Sequence, residues 1–111
     1  MIEKIVLDYL ASALSVPVYM EIPQNPPPSF VIIEKTASGM ENRVYSATFA
    51  LQSYAGSMYA AALLNEDVKA AMDEMAASTN VGSARLNSDY NFTDTATKRY
   101  RYQAVYNLSY V

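Results

Sequence analysis

Between Arg99 and Tyr110, Tyr100, Tyr102, Ala104, Tyr106, Leu108 and Tyr110 fall on one side of a two-residue alternation. Arg99, Arg101, Gln103, Asn107 and Ser109 fall on the other. A period of two held this long fits a strand in a sheet with one buried side. Such a strand cannot bury its apolar side alone, so the rest of the chain must supply more sheet and a cover for it. With 111 residues, the chain is long enough for one domain with a real core and too short for two.

The remaining segments divide accordingly. Ile2, Ile5, Val6, Tyr9, Leu10, Ala13 and Leu14 recur at helical spacing, with Glu3, Lys4, Asp8 and Ser12 between them. Pro17 disfavours helical geometry at Val16, so this helix should end by about Ser15. Val18–Ile22 is a short strand candidate. Pro23, Pro26, Pro27 and Pro28 then impose a stiff connection, before strand-like sequence resumes at Phe30–Glu34. Residues 37–43 read as a hairpin loop around Gly39. From Val44 to Tyr54, Tyr45, Ala47, Phe49 and Leu51 share one face, and Ser46, Thr48 and Gln52 the other.

Ser57 is a plausible N-cap for an alanine-rich helix from about Met58 to Ala77. Its packing stripe is Ala61, Leu64, Val68, Ala71, Met72 and Met75, with Asn65, Glu66, Lys69 and Asp73 on the outer side. Residues 78–83 read as a turn. In the next strand Leu86, Ser88, Tyr90 and Phe92 alternate with Arg85, Asn87, Asp89 and Asn91, and residues 93–97 connect it to the last strand. The expected fold is α+β, in the order α-β-β-β-α-β-β. It has a mostly antiparallel sheet of about five strands, with two helices packed on one face.

Composition narrows the chemistry. There is no cysteine and no histidine, which removes disulfides, thiolate chemistry, and the commonest general base and metal ligand. No apolar stretch is long enough to span a membrane, and charges interrupt the first helix where a secretory signal would be continuously apolar. Glu66 and Asp73 share a helical face but have no further ligands beside them. No metal or other cofactor is expected, and no catalytic residues are assigned. Residues 1–80 hold nine acidic and four basic residues, whereas residues 81–111 hold two acidic and four basic. A net charge of −3 argues against tight nucleic-acid binding. Lys98-Arg99-Tyr100-Arg101-Tyr102 interleaves bases and aromatics, but alternation should place its rings and cations on opposite faces.

Three segments carry a resemblance that spans nearly the whole chain. They are "LSVPVYMEIPQNPPPSFVIIEKT" after the opening helix, "ATFALQSYAGSMYAAALLNEDVKAAM", and the closing "LNSDYNFTDTATKRYRYQAVYNLSYV". In size, order and phrasing they resemble the small tail-completion, or tail-terminator, proteins of siphophages and prophages. The resemblance implies a non-enzymatic virion protein that forms a ring, usually hexameric, on the tail tube. It would end tube polymerisation and face the head connector, after assembly in the bacterial host cytoplasm. A head–tail connector of the neck is the neighbouring alternative. From a different class, a monomeric α+β module that binds a ligand or partner also fits. A ring subunit needs two unlike contact surfaces, and the candidates are the Gly39 loop with Glu41 and Arg43, and the face of Arg99 and Arg101. An acidic subunit would also suit a channel through which DNA passes without sticking.

Overall fold

Alternating segments build one sheet, and two helical stripes cover one side of it. The computed structural model describes residues 1–111. Its elements are α1 (Ile2–Ala13), β1 (Val18–Tyr19), β2 (Phe30–Glu41), β3 (Val44–Ala55), α2 (Met58–Asp73), α3 (Met75–Ser78), β4 (Val81–Asn91) and β5 (Tyr100–Tyr110). The sheet order is β1-β2-β3-β5-β4. Every pairing is antiparallel except β1 with β2, which is parallel. This is an α+β fold whose sheet is mostly antiparallel. No helix is long and apolar enough to cross a membrane.

The main core lies between the sheet and the helices. Ile2, Val6 and Leu10 of α1 and Leu64, Val68 and Met72 of α2 meet Val31, Ile33, Phe49, Leu51, Tyr106 and Leu108 of the sheet. Each large side chain sealed there contributes about 1.5–3 kcal/mol through burial. Ala61, fully buried, lets α2 lie close to the strands. Ser57 caps this helix as its sequence suggests, its Oγ accepting from the Ala60 amide at 3.1 Å. The opposite side of the sheet carries a smaller cluster of Phe30, Ile32 and Tyr54, with Tyr19 against it.

Several boundaries differ from the sequence reading. Ile5 is 38% exposed, so the α1 stripe is narrower than its apolar residues suggest. The first strand stops at Tyr19, two residues into its pairing with Val31 and Ile32 of β2. The long helix breaks at Glu74, which adds the short α3, and nothing in the local sequence marks the break. The turn expected at 78–83 is shorter, since β4 already begins at Val81.

Candidate assembly surfaces

Residues 37–43 do not form a loop. β2 continues through them, with Gly39 opposite Ser46 and Glu41 opposite Val44, and only Asn42 and Arg43 turn the chain. Both have positive φ, 52° and 65°, the left-handed pair that a two-residue type I′ hairpin requires. Gly39 is therefore a strand residue without positive φ, and the turn falls three residues later. Glu41 and Arg43 are exposed at the tip, beside Met40, which is 62% exposed. Just below the tip, the Tyr45 ring stacks on Tyr110 with centroids 5.5 Å apart.

Arg99 and Arg101 lie at the other end of the sheet. Arg101 is opposite Tyr54, ten residues along β3 from Val44, a span of about 34 Å. The structure therefore separates the two candidate groups instead of joining them. Arg99 is exposed, and its backbone bridges Asp94. Arg101 is held within the chain. Its Nε donates to the Phe92 carbonyl at 2.6 Å, and its Nη1 donates to the Tyr54 hydroxyl at 2.8 Å. Its guanidinium also lies 4.4 Å from the Phe92 ring centroid, within cation–π range.

Along the last strand the expected separation holds, with Tyr100 and Tyr102 alternating with Arg101, but Tyr54 of β3 and Phe92 just after β4 bring other rings onto the Arg101 face. A row of aromatic contacts crosses this side of the sheet, from Tyr19 to Phe30 to Tyr54, then through Arg101 to Phe92 and Tyr90. Phe30 and Tyr54 stack at 4.7 Å, each covering a face of the other. Arg101 covers Phe92 in the same way. These ring faces and guanidinium donors are engaged internally, which weighs against their use as a stacking platform for bases.

The polar side of α2 is the second correction. Asn65 is buried and Lys69 half-buried against the sheet, while Asp73 stays exposed at the rim, where it meets Tyr106. Asn65 Nδ2 donates to Asp89 Oδ2 at 2.9 Å, and Lys69 Nζ lies 2.9 Å from the same oxygen and 3.2 Å from Glu66. The hydrogen bond from Lys69 holds the Asp89 carboxyl below the usual carboxylate range, and that bond raises Lys69 in turn. The Tyr106 hydroxyl donates to Asp73 Oδ1 at 3.2 Å, and burial pushes its ionisation well up. Glu66 and Asp73, the acids sharing a helical face, are each taken by an internal partner. Ser53 Oγ and Asn65 Oδ1 are buried without a partner, and Ser53 is sealed from any substrate.

A shift of register explains how Asp89 reaches α2. β4 pairs Leu86 with Tyr106 and then Ser88 with Val105, so Asn87 is an extra residue. Beyond such a bulge the alternation reverses. Asp89 turns toward the helices, and Tyr90 turns away to accept from Gln103 Nε2 at 2.6 Å. The single face expected for Leu86, Ser88, Tyr90 and Phe92 is split at this point. No family model matches the chain, and no match was found among curated proteins.

Proposed function

We propose that the chain is a structural, non-enzymatic subunit of a phage or prophage virion, a tail-completion protein that closes into a ring on the tail tube and joins it to the head. The resemblance along the whole sequence motivates the reading. The observation that carries it is the two-ended layout, with the Glu41–Arg43 tip and the Arg99 end exposed about 34 Å apart along one strand. Unlike surfaces at separate places on one subunit suit the heterologous contacts from which rings close. The internal pairing of Asp89, Lys69, Asp73 and Tyr106 supports a structural role for the polar groups beneath α2.

Arg101 is unsuitable as a probe of assembly, because reversing its charge would break the contacts with Tyr54 and Phe92. Arg99 is the clean probe. Arg99→Glu should leave thermal unfolding unchanged and weaken each subunit contact by about two- to fivefold. Light scattering across a concentration series, with negative-stain images of the same samples, reads the outcome. Closed rings that weaken in the variant support the reading. A monomer at every concentration, with or without purified tail tubes, would remove it.

A further inference from the structure

The sheet ends in two open edges. β1 pairs with β2 only at Val31 and Ile32, so the outer edge of β2 from Glu34 to Glu41 has no neighbouring strand. On the far side, β4 is the last strand and its outer edge is equally free. An unpaired edge presents a row of backbone donors and acceptors to any strand that approaches. Both edges carry a regular stretch at the same height. Above the irregularity at Thr36, Ala37–Glu41 pairs residue for residue with β3, and Ser83–Leu86 lies clean between the two irregularities of β4. Ala37, Thr48, Asn107 and Arg85 form one row across the sheet, and Gly39, Ser46, Ser109 and Ser83 form the next.

Direction and charge match as well. Three successive antiparallel pairings make β4 run opposite to β2. A second copy placed beside the first in the same orientation therefore brings its β4 antiparallel to β2. On the face away from the helices, the β2 edge carries Glu34 and Glu41, and the β4 edge carries Arg85. None of the three makes an ion pair within the chain. With the rows level, the incoming Arg85 stands opposite Ala37 and one diagonal from Glu34, within reach of a long side chain. Gly39 and Ser83, opposite each other in the next row, leave room for the backbones to close.

We propose that the Glu34–Glu41 edge of one copy takes the Ser83–Leu86 edge of the next as an added antiparallel strand, with Arg85 set against Glu34. The contact is heterologous, so repeating it continues one sheet from copy to copy. It rests on the ring reading and deepens it by adding a lateral contact across the strands to the two exposed ends named above.

The absence of native cysteine makes the test direct. Gly39→Cys and Ser83→Cys are made as separate chains. A Cβ at Gly39 meets only Ser46 Oγ, at 3.4 Å, so the first substitution fits. Within one chain the two positions are three strand spacings apart, about 14 Å, beyond the roughly 7 Å a disulfide can span. Oxidation of the mixture should give the Gly39→Cys to Ser83→Cys dimer, and a chain bearing both should give a ladder of multimers. Arg85→Glu should weaken self-association about tenfold, and Glu34→Lys on the same chain should restore it. Oligomers in light scattering that lack this cross-link would overturn the edge contact and leave the ring reading standing. A Gly39→Cys homodimer as the main product, or a monomer at every concentration, would overturn it too.

Discussion

Asp89 shows how much of the stability of α2 rests on one carboxylate. It accepts from Asn65 and pairs with Lys69 while its own side chain is 28% exposed. Asp89→Asn should cost about 1–2 kcal/mol near neutral pH, measured by urea unfolding. Because its folded pKa is depressed, its contribution is present above the ordinary value near 4 and is lost as pH falls through the folded value. Lys69 is shifted upward, so its share persists until pH rises past about 10. The gap between wild type and variant should therefore be widest between about pH 5 and pH 10, and should close on acidification below about pH 4. This cluster was illegible in the sequence for a physical reason. Asn65, Lys69 and Asp73 are polar and helical spacing assigns them to solvent. Only the extra residue at Asn87 turns Asp89 inward to receive two of them, and nothing about Asn87 announces a bulge. Arg101 misled in a related way, since its aromatic partners come from neighbouring strands that no one-strand pattern reveals.

At the scale of elements, the strongest periodic signals mapped directly onto structure. The Val44–Tyr54 and Tyr100–Tyr110 alternations became β3 and β5, and Ser57 opens α2. The β2–β3 hairpin was misread because Gly39 drew the turn toward itself, whereas the turn uses Asn42 and Arg43. Arginine has no special tolerance for positive φ, so Arg43 at 65° holds the turn at a cost. Arg43→Gly should stabilise the protein by about 0.5–1 kcal/mol in chemical denaturation. A loss of stability there would mean that the Arg43 side chain supports the tip. The end of α2 was also illegible: alanine and methionine continue past Glu74 with helical character, and the break depends on tertiary packing.

Across the whole molecule, acidic residues dominate the first 80 positions and basic residues the last 31, and the sheet order sends Glu34 and Arg85 to opposite edges. If exposed charges of opposite sign steer copies together, raising salt from about 0.1 M to about 1 M should lower the mass seen in light scattering at fixed protein concentration. Mass that does not respond to salt would point to an apolar contact instead. The class of fold was readable because helical and two-residue periods alternate cleanly along the chain. The order of strands was not readable, since β5 inserts between β3 and β4 through pairings that are distant in sequence. Short β1 then has an effect out of proportion to its two residues. By occupying Val31 and Ile32 it closes the lower part of the β2 edge, so an arriving β4 must leave that edge at its Asn87 bulge, because its Tyr90 and Asn91 would otherwise fall on the rows that β1 holds. Sliding downward is blocked, so the arriving strand finds one shelf of fixed length, and each joint of a growing assembly is set to the same height as the last.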